Sequence, residues 1–293
     1  MSSKYIIVLG STYSGIGKGV VAASTALLMK SRSHVVEYIK FDPYYCINAG
    51  LLSPNEHGQC FTLDDGKETD LDLSHVERIS SLNLNKDNIC TSGTLFKELV
   101  EEQEKGDYLG KTITNSFIVD KIIDRLENLG KKSEIVIAEI GGTVDDTESS
   151  VYLEAICRMR QKYRNNCLII VVSPVMWIDT IKEFKTKPLQ RGIRDIQSYG
   201  IIPDILICRS SKEIPEVILK KISSSTGIGR ENILLGLDTP IIYSVPIQLY
   251  QQNYDDIISD KLGLKRSHCK IQKYKDIVEK YTLNDEKFSI TIG

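Results

Sequence analysis

No run of apolar residues in this 293-residue chain is long enough to span a bilayer, and its charged start lacks a hydrophobic signal region. A soluble, cytoplasmic protein with no membrane attachment is therefore expected. Charge of one sign is equally scarce: 37 basic and 39 acidic side chains leave a net charge of −2. That argues against a polybasic nucleic-acid surface and against an anionic tail, so any anionic ligand is left to a few local lysines. Internal repeats and low-complexity linkers are absent too. The seven cysteines, Cys46, Cys60, Cys90, Cys157, Cys167, Cys208 and Cys269, are odd in number, widely spaced and mostly set among apolar residues. They read as reduced thiols rather than as a disulfide framework. What is present, 41% hydrophobic residues, is enough for the core of one large α/β domain or of two small ones.

Strand-like apolar runs recur at Tyr5 to Leu9, His34 to Ile39, Glu134 to Ala138, Cys167 to Ser173, Asp204 to Cys208, Asn232 to Leu235 and Pro240 to Val245. Helical patterns lie between most of them, at Gly19 to Ser31, Ser92 to Lys105, Ser116 to Leu129, Ser149 to Tyr163, Lys187 to Tyr199 and Pro215 to Ser224, and after the last strand at Ile247 to Leu262 and Lys270 to Tyr281. The alternation predicts an α/β fold, P-loop NTPase-like (Rossmann-like), with a mainly parallel sheet and helices on both faces. Asp42 to Arg78 breaks the pattern: Pro43, Gly50, Pro54, Gly58 and Gly66 interrupt it, and it carries Lys40 just before it and His57, Asp65, Glu68, Asp70 and Asp72 within it. It reads as a long polar loop, a kind of segment that usually carries function.

The chemistry begins with the first strand. Tyr5 to Leu9 runs into Gly10, then Ser14-Gly15-Ile16-Gly17-Lys18-Gly19, then the helix-like Val20 to Met29. Glycines let backbone N–H groups turn toward one anion, the helix start adds the positive end of its dipole, and Lys18 supplies a point charge for outer phosphates. A nucleoside triphosphate ligand follows. The spacing is not that of a regular P-loop: six residues separate Gly10 from Gly17, and Gly19 stands where Ser or Thr would bind magnesium. Carboxylates must then hold the ion. Two acidic clusters follow strands, where ligands of open α/β sheets bind: Asp64 to Leu73, and Glu139 to Glu148, the latter directly after the apolar Ile135-Val136-Ile137. Lys185 and Lys187, stiffened by Pro188 and followed by Gln190, form a possible second anion site at a helix start. His57, beside Gly58, is by itself better explained by a structural role, as a lone histidine more often is.

Several segments, in order along the chain, resemble the N-terminal synthetase (amidoligase) domain of the CTP synthases. They are Lys40-Phe41-Asp42-Pro43-Tyr44, Ser53-Pro54-Asn55-Glu56-His57-Gly58, Asp65 to Leu73, Gly106-Asp107-Tyr108-Leu109-Gly110, Glu139 to Glu148, Lys185-Thr186-Lys187-Pro188 and Ile207-Cys208-Arg209-Ser210. The likeness runs from about Lys4 to Gly293 with little shift of spacing. It implies ATP-dependent amination of UTP to CTP, in which the uracil 4-oxygen is phosphorylated and ammonia then displaces phosphate. It also implies that Ser14, Gly15, Ile16, Gly17, Lys18 and Gly19, with Asp72 and Asp238, bind ATP, and that Asp72 and Glu139 hold Mg2+. Lys18, Lys40 and His57 would be the catalytic side chains, His57 with Pro54 forming a gate for ammonia. Ser14, Asp146, Thr147, Glu148, Lys185, Lys187, Gln190 and Lys221 match the positions for UTP and for CTP as feedback inhibitor. That site is completed across a subunit contact, which implies a homotetramer. Residues 1–286 would form the amidoligase domain, and 287–293 the start of a linker or strand toward a glutamine amidotransferase domain.

Departures from the family pattern are specific. The family has glutamate at Gln59, aspartate at Asn48, glycine at Asp145, isoleucine at Thr147, glutamine at Thr114, histidine at Ile118 and phenylalanine at Ser225. Loss of an aromatic wall and of a glutamine bears on UTP affinity and CTP inhibition more than on ATP binding. None of the seven cysteines sits in a strand-to-helix elbow, so glutamine hydrolysis is not expected of these residues and free ammonia is the expected nitrogen donor. Two other readings stand beside this one: a catalytically weak nucleotide-binding partner that assembles with full-length subunits, and a dethiobiotin-synthetase-like carboxylate-activating enzyme. The Lys185 to Gln190 segment and the Asp146/Glu148 pair argue against the second.

Overall fold

A computed structural model describes residues 3–53 and 60–283. Its frame is a seven-stranded sheet built from β1 (Lys4–Gly10), β2 (Val36–Asp42), β5 (Ile89–Thr91), β6 (Ile135–Ile140), β7 (Cys167–Pro174), β10 (Ile205–Ser210) and β11 (Ile233–Leu237). The order is β11-β10-β7-β1-β6-β2-β5, and every pairing is parallel. The sequence dictates this. Runs such as Ile135-Val136-Ile137-Ala138 and Leu168-Ile169-Ile170-Val171-Val172 are apolar at successive positions, which suits strands covered on both sides rather than on one.

Side-chain alternation splits the core in two. Tyr5, Ile7 and Leu9 meet α3 (Ser92–Lys105), α4 (Asn115–Gly130), α5 (Ser150–Lys162), α6 (Lys187–Ser198) and α7 (Glu216–Thr226) on one face. Ile6 and Val8 meet α1 (Lys18–Ser31), α2 (Leu71–Ser80), α8 (Val245–Gln251) and α9 (Tyr254–Leu262) on the other, where the start of α10 (Gln272–Leu283) also packs. Arg32, at the end of α1, ties that face together: it pairs with Asp255 and Asp256, both in the first turn of α9, at 2.6 Å. Two carboxylates at a helix start are themselves favoured by its dipole. No helix among the described residues is long and apolar enough to cross a membrane.

The expected strand from Pro240 to Val245 is not one. Ile242–Ser244 forms a single 3-10 turn and α8 begins at Val245, with Pro246 in its first turn, where a missing N–H costs nothing. The single helix expected from Ile247 to Leu262 is broken at Asn253, whose φ of 58° no α-helix accommodates. The long loop from Asp42 also has internal order. It holds a hairpin of β3 (Cys60–Thr62) and β4 (Glu68–Asp70), and then α2. A second small hairpin, β8 (Met176–Ile178) with β9 (Glu183–Lys185), precedes α6. His57, Pro54, Gln59 and the boundary expected at residue 286 lie outside the described residues.

Candidate active site

Strand register assembles the site. In the parallel pair of β2 and β6, Lys40 lies opposite Glu139 and Tyr38 opposite Ile137. Alternation sends Tyr38, Lys40 and Glu139 to the α1 face, at the carboxyl end of the sheet where the glycine loop also emerges. Gly15 and Gly17 have φ of 68° and 89°, a left-handed backbone that side chains with a Cβ adopt only under strain. Gly17 opens α1 with no side-chain cap, which leaves the first N–H groups of the helix for a ligand.

Lys18 does not point to solvent. It folds back over Gly10, where a Cβ would come within 3.0 Å of its Cδ, and its Nζ donates to the Gly142 carbonyl at 3.0 Å. Gly19 faces the carboxylates: a Cβ there would lie 3.4 Å from the Asp72 side chain and 3.4 Å from Glu139 Oε2. Two acidic groups from distant segments thus approach the position where a regular P-loop has its hydroxyl. Asp72 arrives by way of α2. Asp70 caps that helix, accepting from the Asp72 N–H at 3.2 Å, and Asp72 occupies the first turn.

Lys40 sits at the centre of this charge cluster. Its Nζ contacts Asp70, donates to Asp72 at 2.7 Å and lies 3.6 Å from Asp42. Burial would lower its pKa, but Asp42, Glu139, Asp70 and Asp72 outweigh that and hold it well above the ordinary lysine value. Burial pushes Glu139 up to about 7, with Lys40, the Tyr38 hydroxyl and Lys18 opposing and Asp72 reinforcing. Burial likewise raises Asp42 to about 6, against the pull of Lys40 and the Tyr44 hydroxyl, which donates to it at 2.9 Å. Lys18 is shifted down by burial, only partly compensated by Glu139.

Four carboxylates, Asp42, Asp70, Asp72 and Glu139, surround two ammonium groups, Lys18 and Lys40, a formal excess of two negative charges in a largely buried space. The upward shifts of Glu139 and Asp42 run in the direction that relieves it. One divalent cation would relieve it as well, and two carboxylates plus nucleotide phosphates and water are the usual donors for magnesium. The donor set therefore fits Mg2+. No cluster of three or more His, Cys, Asp or Glu arranged as a complete metal cage occurs among the described residues.

Beside the loop, a cavity of about 290 Å3 is lined by Gly15, Gly17, Val21, Arg209, Asp238 and Ile242, among others. Arg209 donates to Asp238 at 2.7 Å and to the Gly236 carbonyl at 2.9 Å, which fixes the floor between β10 and β11. A larger cavity of about 510 Å3, lined by Leu27, Ile79, Tyr243 and Tyr274 among others, has no carboxylate in its lining.

The remaining sequence-predicted residues lie at the surface. Ser14 is exposed in the loop, with Ile16 half-buried behind it. Asp146, Thr147 and Glu148 are exposed at the turn before α5, where Asp146 accepts from the Thr143 N–H at 2.9 Å. Lys185 pairs with Glu183 at the end of β9, Lys187 is exposed at the start of α6, and Gln190 bonds Thr186. Lys221 is exposed on α7, near enough to Glu183 to add a little to the lowering of its pKa that Lys185 mainly causes. Within one chain, no ion pair joins Asp146 or Glu148 to Lys185, Lys187 or Lys221 among the described residues. Ile118, where the family has histidine, is fully buried in the core, whereas Thr114 and Ser225 are exposed.

Sequence reasoning did not single out Tyr38, nor give Asp42, Asp70 and Arg209 their places. Asp70 was legible as a helix cap only with α2 recognised. Tyr38 required the β2–β6 register.

The parallel sheet, the glycine loop after β1 and the uncapped start of α1 define a P-loop nucleoside triphosphatase fold. More particularly, the chain belongs to the CTP synthase N-terminus family, whose model matches residues 4–264. It is 40% identical over 292 residues to the CTP synthase of Methanococcus maripaludis, covering 99% of this chain and 54% of that one. To the CTP synthase of Carboxydothermus hydrogenoformans it is 39% identical over 295 residues, covering 99% and 55%. The chain thus spans about half the length of the curated relatives it matches. Among solved structures, the signal recognition particle 54 kDa protein of Aeropyrum pernix in complex with GDP aligns at a TM-score of 0.44 and 12% identity, over 96% of this chain and 50% of that one.

Proposed function

We propose that this chain catalyses the ATP-dependent amination of UTP to CTP. One observation carries the reading: Asp72 and Glu139, from separate segments, converge on Gly19 at the start of α1, with Lys40 paired to Asp72 and Lys18 folded over Gly10 beside them. In this reading the ATP phosphates lie against the N–H groups of Gly15 to Gly19 and the Lys18 ammonium, with the base toward the cavity at Arg209 and Asp238. Asp72 and Glu139 would hold Mg2+, which supplies charge neutralisation for the transferring phosphoryl group.

The chemical logic is that of a leaving group. The uracil 4-oxygen attacks the γ-phosphorus as N3 gives up its proton and ADP departs; ammonia then adds to C4, loses a proton, and inorganic phosphate leaves to give CTP. The protein's task is to align two triphosphates and to balance charge as the phosphoryl group moves. Lys40, released from Asp72 when that carboxylate turns to the cation, would meet the moving group. UTP would lie against Asp146, Thr147 and Glu148, with Lys185, Lys187, Gln190 and Lys221 supplied by a neighbouring subunit of a homotetramer. The same positions would hold CTP as feedback inhibitor, and ammonia would enter past His57. Cytoplasmic location belongs to the same reading.

The test is direct. Incubation of the protein with UTP, ATP, ammonium and Mg2+ is expected to produce CTP, and omission of any one of the four to stop it. Correctly folded protein that binds ATP calorimetrically but makes no CTP at high ammonium would replace this reading with that of a nucleotide-binding assembly partner. The exposed Thr114 and Ser225, in place of a glutamine and an aromatic wall, are the positions that would then explain weak UTP binding.

A further inference from the structure

We propose that Tyr38 is a positioning residue for the divalent cation: it fixes the Glu139 carboxylate in the orientation that meets the ion. The inference rests on the reading of Asp72 and Glu139 as magnesium ligands. Tyr38 is fully buried in β2, on the α1 face, in an otherwise apolar core that includes Val36 and Ile137. Phenylalanine would fill that space without burying a hydroxyl, which needs a partner once it leaves water. The partner here is Glu139: the Tyr38 hydroxyl donates to Oε2 at 2.5 Å, with both groups out of solvent.

The oxygen that Tyr38 holds is the one that approaches Gly19. Strand β6 fixes only the Cα of Glu139, so three side-chain torsions would otherwise be free to turn the carboxylate. Asn88 Nδ2 donates to the backbone carbonyl of Tyr38 at 2.6 Å, which ties β2 to the turn before β5. From that anchored backbone the Tyr38 hydroxyl reaches the acidic group beside the nucleotide loop. Outer partners of metal ligands commonly matter by about 10- to 100-fold in metal affinity.

The experiment uses Mn2+ as the probe, followed by electron paramagnetic resonance as it is titrated into ATP-saturated protein. Tyr38→Phe is expected to weaken Mn2+ binding by about 10- to 100-fold, while ATP binding in EDTA and the melting temperature stay close to those of the parent. Tyr38→Leu, which also lacks the donor, should show the same loss. In a Glu139→Gln background, Tyr38→Phe should have no further effect on Mn2+, whereas a merely structural role would lower affinity in both backgrounds. Undiminished Mn2+ binding by a folded Tyr38→Phe variant would overturn the proposal. Should Glu139→Gln itself bind Mn2+ as tightly as the parent, the assignment of the ligand fails, and the role of Tyr38 falls with it.

Discussion

Lys18→Met is expected to lower CTP formation by about 100- to 1000-fold, the range seen when one preorganised charge-stabilising donor is removed from an active site. Methionine keeps an unbranched stem over Gly10 and removes the charge with its hydrogen bond to the Gly142 carbonyl, so packing is largely kept. Lys18 is buried and its pKa is shifted down, which means that the folded protein sustains this ammonium at a cost. Losing it should not destabilise the fold. In the free protein its Nζ donates to a single carbonyl, that of Gly142, a contact that phosphate oxygens can readily replace. ATP affinity and single-turnover rate should therefore both fall, with the melting temperature unchanged. A variant that turns over normally would place the outer phosphates elsewhere.

Glu139→Gln should separate stability from activity. Burial pushes the Glu139 carboxyl up to about 7 in the folded protein, from the ordinary 4.5 of the unfolded chain. Between those values the folded state keeps a proton that the unfolded state has lost, so stability falls as pH rises through the window and levels off above it. The span corresponds to about 3 kcal/mol. Glutamine has no such titration. In EDTA, urea unfolding should show the variant and the parent about equally stable near pH 5, and the variant more stable by about 2–3 kcal/mol at pH 8. CTP formation should meanwhile be all but lost, as expected where acidic groups are crowded for function at the expense of stability. Equal or lower stability of the variant at pH 8 would show that Glu139 is satisfied without a cation.

Much of this arrangement was readable in the sequence because its signals are local. The strand, glycines and helix from Lys4 to Ser31 follow one another without interruption, and buried parallel strands announce themselves as apolar runs. Lys18, the two acidic clusters and the Lys185 to Gln190 segment could be picked out from the residues, and the family likeness supplied the roles expected of Lys40, Asp72, Glu139 and the positions from Asp146 to Lys221. Helix α2 was not readable. Its inward positions Leu73, Val76 and Ile79 are spread among acidic and polar residues, so a short amphipathic helix looked like loop. The run Ile241-Ile242-Tyr243 looked like strand for the opposite reason, a few apolar residues being compatible with either period. The contacts that give the cluster its electrostatics were hidden because they depend on register: Tyr38 reaches Glu139 across 101 residues, and Lys40 reaches Asp70 and Asp72 across 30 and 32.

The central claim is that Asp72 and Glu139 share one magnesium ion with nucleotide phosphates that rest on Lys18. An experimental structure with Mg2+, UTP and a non-hydrolysable ATP analogue addresses it. The expected result is an ion about 2.1 Å from an oxygen of each carboxylate and from a phosphate oxygen, with Lys40 freed from Asp72 and turned toward the γ-phosphate. Phosphates bound away from Gly15 to Gly19, with Asp72 still paired to Lys40 and no ion beside Glu139, would contradict it.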